Sequence, residues 1–192
     1  MGKISDYMLQ IAADDRHGYD QRHRNGDPDY DCSSLVCAAV RASGIKHSGT
    51  YTGDMYNALI KAGFRDVTKN VNLKTGAGLQ IDDILLTPNK HTAVYTGNGK
   101  ITHARIAENG TAYADKAGDQ TGKEICTTSY DSSYPWKYVL RYNQDELEPM
   151  EYLKLAIDVL NGYYGTGEDR KKKLGKYYAR VQRIVNLACG KD

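Results

Sequence analysis

One Phe, one Trp, four Pro and four Cys are all the chain holds of those residues. No apolar run approaches the roughly 20 residues that cross a bilayer, which with a mean hydropathy of −0.64 excludes a membrane-spanning helix. Four Pro beside 19 Gly exclude a collagen-like or Pro-rich chain. An excess of either charge is missing too. The 26 Lys and Arg against 24 Asp and Glu leave +2, so there is no broad basic field to gather nucleic acid. Cys32, Cys37, Cys126 and Cys189 contain no C-x-x-C pair, which disfavours a zinc site and a disulfide frame and leaves free thiols. No metal or cofactor is expected. The opening Met1-Gly-Lys-Ile-Ser-Asp-Tyr7 has no apolar stretch of the kind a secretory leader carries, so synthesis in the cytoplasm without a signal peptide is expected.

The 192 residues, 40% of them hydrophobic, can build one domain with a core and a small appendage. Sixteen Tyr favour surfaces that are apolar on one side and hydrogen-bonding on the other, as wet clefts for sugars or peptides are. The acidic, Pro-terminated stretch at residues 143–148 and Pro149 is the sharpest change of composition, and a linker is expected over 143–148 between domains at 1–142 and 149–192. Residues 149–192 hold nine Lys and Arg against five Asp and Glu, and spacing predicts two or three short helices. One apolar stripe is expected at Leu153, Ala156, Ile157 and Leu160, a second at Val181, Ile184, Val185 and Ala188. The run Arg170-Lys-Lys-Lys173 reads first as a solvated helix face.

The first part reads as α+β. Helices are expected over Cys32–Ala42, ended by Gly44, and over Asp54–Ala62, ended by Gly63. Strands are expected at 84–87, 92–96, 100–106, 125–128 and 137–142. Helices followed by an antiparallel sheet differ from repeating βαβ units.

Chemistry concentrates at Tyr30-Asp-Cys-Ser-Ser-Leu-Val36, which sets a Cys at a helix start, where the helix dipole is expected to lower its thiol pKa. Cys37, five positions on, reads as a small core residue. A catalytic thiol needs a base, and of the five His only His91 and His103 fall on strands, in Lys90-His-Thr-Ala-Val-Tyr-Thr-Gly-Asn-Gly-Lys-Ile-Thr-His-Ala104. A three-residue loop pairing Thr96 with Lys100 would put both imidazoles on one face. A two-residue Asn98-Gly99 turn pairing Gly97 with Lys100 would separate them.

Asp31-Cys-Ser-Ser-Leu-Val36, Asp83-Ile-Leu-Leu86, His91-Thr-Ala-Val-Tyr95 and Gly97-Asn-Gly-Lys-Ile-Thr-His-Ala104 together resemble the NlpC-type papain-like cell-wall hydrolases, in particular the bacteriophage branch called amidase family five, over residues 5–142. The resemblance implies Cys32 as nucleophile, His91 as base and His103 as its orienting partner. Tyr19, Asp31 and Ser33 would serve the oxyanion or substrate, with Glu108 competing for the third catalytic place as in the related CHAP peptidases. Asp82 stands where that family has Gly. Leu160–Leu174 and Val181–Asn186 resemble the Cpl-seven wall-binding repeat of phage lysins, which implies wall contacts through Tyr163, Tyr164, Gly165, Glu168 and Arg170. Together they imply a papain-like α+β hydrolase with an all-α tail, acting on peptidoglycan as an endopeptidase, with an N-acetylmuramoyl-L-alanine amidase or an inactive wall binder as alternatives. Neither nucleic acid nor membrane insertion is expected, while self-association through the tail would make up for its single copy.

Overall fold

The computed structural model describes residues 3–142 and 149–191; the expected linker over 143–148 lies outside them. The chain divides into two compact units, Met1–Tyr142 and Asn143–Asp192.

In the first unit, helices α1 (Lys3–Ala12), α2 (Cys32–Ala42) and α3 (Met55–Lys61) accompany strands β1 (Phe64–Asp66), β2 (Ile84–Thr87), β3 (His91–Gly97), β4 (Lys100–Ala104), β5 (Ile125–Ser129) and β6 (Tyr138–Tyr142). The strands form one antiparallel sheet in the order β1-β6-β2-β3-β4-β5. This is the α+β class expected from the sequence. Helix α1 and strand β1 stand outside the elements expected from periodicity, although Ile4, Met8 and Ile11 recur at helical spacing and are buried.

Period-2 alternation distributes the core to both faces of the sheet. Ile84, Leu86, Val94, Ala104 and Leu140 pack with Ile4 and Met8 of α1 and with Leu35, Val36 and Val40 of α2. Leu85, Ala93, Ile101 and Val139 pack with Val71 and Trp136 on the other face. Both faces of β2 are therefore covered, and all four of its residues are buried.

Helix α2 begins and ends on local signals. Asp31 caps its start, Oδ1 accepting the Ser34 N–H at 2.7 Å, while Ser34 Oγ accepts the Asp31 N–H at 2.9 Å, a reciprocal capping box. Gly44, at φ +89°, ends it: its N–H reaches the Arg41 carbonyl, and the Ile45 N–H reaches that of Val40. Asp82 occupies the left-handed region at φ +74°, which accounts for Gly in the resembling family; its carboxylate accepts the Ser5 N–H at 2.7 Å in the first turn of α1.

Asp83 is fully buried at the start of β2, and Arg141 of β6 grips it through Nε–Oδ1 at 2.6 Å and Nη2–Oδ2 at 2.7 Å. The Gln80 N–H adds a third bond to that carboxylate at 2.8 Å.

The second unit holds α4 (Pro149–Leu160), α5 (Gly167–Leu174) and α6 (Tyr178–Ala188). Its core is Tyr152, Ala156, Val159, Leu174, Val181 and Val185. The stripe expected on α4 is corrected by one position: Leu153, Ile157 and Leu160 are exposed, and Tyr152, Ala156 and Val159 face inward. Both sets repeat as i, i+4, i+7, and packing chooses between them. Tyr152 sets its edge against Tyr177 and carries Arg180 over its ring at 4.4 Å, contacts that an aliphatic side chain does not make. Among the described residues no helix is long and apolar enough to cross a membrane.

The Asp83–Arg141 pair gives a stability test. Arg141→Leu strands a buried carboxylate and is expected to cost about 2–4 kcal/mol in urea unfolding at pH 7. Adding Asp83→Leu is expected to recover a large part of that loss, and a cost for Arg141→Leu below about 0.5 kcal/mol would reject the pair as a determinant of the fold.

Candidate active site

The β3–β4 hairpin combines the two registers that the sequence allows. Asn98 and Gly99, at φ +52° and +68°, form a two-residue turn, and Gly97 pairs with Lys100. Tyr95 then pairs with Ile101 and Val94 with Thr102, so Thr96 is an extra residue bulged from the ladder. The Tyr95 hydroxyl accepts the Gly99 N–H at 3.0 Å and braces the turn. The bulge shifts the register by one, so His103 falls across from Ala93, one diagonal step from His91.

The two imidazoles meet there, with His91 Nε2 2.9 Å from His103 Nδ1. His103 is buried, and its Nε2 lies 3.4 Å from the Thr128 hydroxyl of β5. One tautomer set satisfies the chain: His91 Nε2–H donates to His103 Nδ1, and His103 Nε2–H donates to Thr128. That leaves the His91 Nδ1 lone pair to accept a proton. Tyr134 stacks on His91 with centroids 4.8 Å apart and meets His103 edge-on at 5.6 Å, while Trp136 lies 5.8 Å from His91. The Arg105 guanidinium lies near the Tyr134 side chain and the Cys126 thiol, and both favour its charged form. Burial, reinforced at His91 by Arg105 and at His103 by His91 and then Arg105, brings the imidazoles down to about 4 and about 3. Both rings are neutral at pH 7.

Cys32 is the first residue of α2 and 8% exposed, and its thiol lies near the backbone N–H groups of Thr92 and Ser33. The expected lowering of its pKa is not what the environment produces. Burial pushes the thiol up to about 12, the Asp31 carboxylate adds to that, and the N–H donors only reduce the rise. His91 and His103 share the sheet face of Ala93. Among the described residues no hydrogen bond joins the thiol to either imidazole.

Of the residues tied to the oxyanion or substrate, Tyr19 is buried, with its hydroxyl accepting from Gln21 Nε2 at 3.1 Å. Burial raises it to about 12, and Cys32 and Asp31 are close enough to add to the rise. The carboxylate of Asp31 is fully engaged by Ser34, by the Ser33 hydroxyl at 2.8 Å and by the Arg24 guanidinium, so it is an acceptor and not an oxyanion donor. Glu108 is placed elsewhere: its Oε1 accepts the N–H groups of Asp115 and Lys116, both at 2.9 Å, and ties a loop, while the His91 Nε2 it would have to reach is occupied by His103. In the second unit Tyr163 is 73% exposed and Tyr164 packs against the core. The Gly165 carbonyl accepts from Arg170 Nε at 3.0 Å and Nη2 at 2.7 Å, Arg170 also reaches Gln182 at 3.1 Å, and Glu168 is a surface acid 3.6 Å from Lys171. Arg170 is thus a strut of this unit.

Tyr134, Arg105 and Thr128 are site residues that the motifs miss. The signal nearest to them is the single Trp of the chain, two positions after Tyr134 in Ser133-Tyr-Pro-Trp136. Among the described residues no three His, Cys, Asp or Glu side chains converge as metal ligands do.

The family model of the endolysin-like domain matches residues 26–100 and 101–174. The chain belongs to the endolysin-like domain family. Solved structures similar to this endolysin-like chain include the peptidoglycan hydrolase RipB from Mycobacterium tuberculosis, 17% identical with a TM-score of 0.43, over 72% of this chain and 64% of that one. The P60 domain of an antigen from M. avium subspecies paratuberculosis is 15% identical with a TM-score of 0.41, over 72% and 93%. NlpC1 from Trichomonas vaginalis is 16% identical with a TM-score of 0.43, over 72% and 43%. The chain thus spans less than two thirds of the length of RipB. No curated protein matches it.

The raised thiol can be measured directly. Only thiolate alkylates, so with a folded-state value of about 12 the Cys32 rate with iodoacetamide should climb about tenfold per pH unit from 7 to 10 without levelling. At pH 7.5 the exposed Cys189 should react first, as followed by peptide mass mapping. A Cys32 rate that is already flat above pH 7 would mean a resting thiolate.

Proposed function

We propose that the first unit is a peptidoglycan hydrolase that cuts an amide bond of the stem peptide through Cys32, His91 and His103. The observation that carries this reading is the 2.9 Å imidazole pair, whose leading residue, His91, directly precedes Thr92, the β3 residue whose backbone N–H lies near the Cys32 thiol. Membership of the endolysin-like domain family supports the bacterial wall as its place of action.

The neutral thiol and neutral base define the sequence of steps. A substrate carbonyl enters against Cys32, the thiol proton passes to His91 Nδ1, and sulfur bonds to carbonyl carbon. Backbone N–H groups at the start of α2, with the Tyr19 hydroxyl beside them, hold the oxyanion. His91 returns the proton to the leaving amine as the C–N bond breaks. Water then adds to the thioester, its proton again carried by His91, releasing a carboxylic acid and the thiol. His103 keeps His91 in the productive tautomer, and Tyr134 holds its plane.

The same triad serves an N-acetylmuramoyl-L-alanine amidase, and the products separate the two. New free amines on the stem peptide mark an endopeptidase, and whole stem peptides released from the glycan mark an amidase. One observation favours a wall binder without activity: the thiol is strongly protonated and shares no hydrogen bond with an imidazole. Pelleting with walls and no lysis above that of Cys32→Ala would support that reading.

In turbidity assays on purified walls, Cys32→Ala is expected to abolish lysis, while Cys37→Ser and Cys126→Ser keep most of it. His103→Ala should lower kcat by about 100-fold or more, as loss of a tautomer-setting partner does, and Glu108→Ala by less than about threefold. A larger loss at Glu108 would move the orienting role to that carboxylate.

We also propose that the second unit binds the wall through Tyr163 and the surface around it. Tyr163→Ala should weaken pelleting with walls without changing the melting temperature, whereas Tyr164→Ala should lower the melting temperature, because Tyr164 packs on the core. Unchanged pelleting for both variants would reject the binding role.

A further inference from the structure

Glu124 is 1% exposed and takes no part in the steps above. It stands directly before β5, where its carbonyl accepts the Arg105 N–H at 2.7 Å and so extends the β4–β5 ladder that carries His103 and Thr128. Asp119 fixes the turn that leads to it. One Asp119 oxygen accepts the N–H groups of Thr121 and Gly122 at 2.9 and 2.7 Å, and the other those of Glu124 and Ile125 at 3.0 and 3.2 Å. The Glu124 side chain turns back from the strand, with Oε1 on the Gln120 N–H at 2.8 Å and Oε2 on the Tyr19 N–H at 3.0 Å. A buried carboxyl group is costly unless its oxygens are met, and here both are.

Tyr19 is held from two sides. Its neighbours pair with Tyr30, two residues before Cys32: the Gly18 carbonyl accepts the Tyr30 N–H, and the Asp20 N–H reaches the Tyr30 carbonyl, both at 3.0 Å. The Tyr19 N–H points the other way, to Glu124. Gly18 makes room for that contact, since a Cβ there would lie 2.2 Å from the Gly118 carbonyl oxygen and 2.9 Å from Glu124 Oε2. Asp29, 2% exposed, joins the two glycines by accepting the Gly18 N–H at 2.8 Å and the Gly118 N–H at 2.9 Å. The Tyr19 side chain lies close enough to Cys32 and Asp31 for both to act on it electrostatically. Its hydroxyl accepts from Gln21 Nε2 at 3.1 Å, which leaves its own proton to donate.

We infer that Glu124 is a positioning residue for amide hydrolysis, holding Tyr19 between the segment that leads into Cys32 and the strands that carry His103 and Thr128, so that the Tyr19 hydroxyl meets the oxyanion formed at Cys32. The inference rests on the hydrolase reading. A preorganised donor acts by standing in place before charge develops, so a displaced one costs rate in the transition state and leaves substrate binding nearly untouched.

The test is a double-mutant cycle on the full chain with a soluble stem-peptide substrate. Glu124→Gln sets an amide N–H against a backbone N–H and should lower kcat about tenfold while KM changes less than about twofold. Tyr19→Phe should lower kcat about 100-fold, as loss of an oxyanion donor does. With that hydroxyl gone, adding Glu124→Gln should cost less than about twofold further. Glu124→Asp keeps the charge and withdraws the carboxylate by one methylene; it should lose about threefold in kcat, follow the same cycle, and decide the matter if Glu124→Gln does not fold. Losses that multiply in the double variant, or a rise in KM as large as the fall in kcat, mark a structural staple and overturn the inference. The place of Tyr19 is read apart from activity, by fluorine NMR of the chain labelled with 3-fluorotyrosine, the Tyr19 resonance being the one missing from Tyr19→Phe. That resonance should shift in Glu124→Asp, and an unmoved resonance overturns the inference. Failure of the hydrolase reading shows separately, as a peptide left uncut by the unsubstituted chain while the resonance shifts.

Discussion

One bulged residue decides whether the histidines meet. A two-residue turn at Asn98-Gly99 is the geometry that β-strand twist prefers, and carried straight into the ladder it would send His91 and His103 to opposite faces of the sheet. Thr96 absorbs the mismatch by leaving the ladder, and every pair beyond it shifts by one. The hairpin thereby keeps a favourable turn and a buried pair of imidazoles together. Deleting Thr96 would preserve each side chain of the pair and still destroy their contact, because side-chain direction has period 2.

Burial, more than charge, sets the chemistry of the site. Cys32, Tyr19, His91 and His103 are all pushed toward their neutral forms with desolvation as the leading cause. The permanent charges stand at the edges. Arg105 lies beside Tyr134, and Arg24 neutralises Asp31. A site arranged this way holds no thiolate–imidazolium pair at rest, so that charge develops only with bound substrate, when the helix-start N–H groups have an oxyanion to meet.

Much of the catalytic half can be read from the residues. The start and stop of α2 are local signals in Asp31, Ser34 and Gly44, and the strand over 84–87 appears at its expected bounds because an apolar run between polar turns leaves little choice. The histidine contact is only half legible, since Gly97-Asn-Gly99 fits two loop lengths and neither motif nor periodicity marks a bulge. The thiol pKa is illegible from position alone. The dipole argument sees the helix start but not the desolvation, which depends on residues folded over it from Thr92 and Tyr19. On α4 the apolar pattern has two phases, and hydrophobicity favours Leu153, Ile157 and Leu160 while the aromatic contacts of Tyr152 select the other.

Asp31 is where fold and chemistry pull against each other. Its carboxylate caps α2, yet it sits next to the thiol and raises the cost of forming a thiolate. Arg24 resolves the conflict by placing a guanidinium on the same carboxylate, which leaves the cap intact and offsets its field at the sulfur. An anion bound directly on Arg24 would restore the negative potential that Arg24 removes, and so work against the thiolate that the reaction needs.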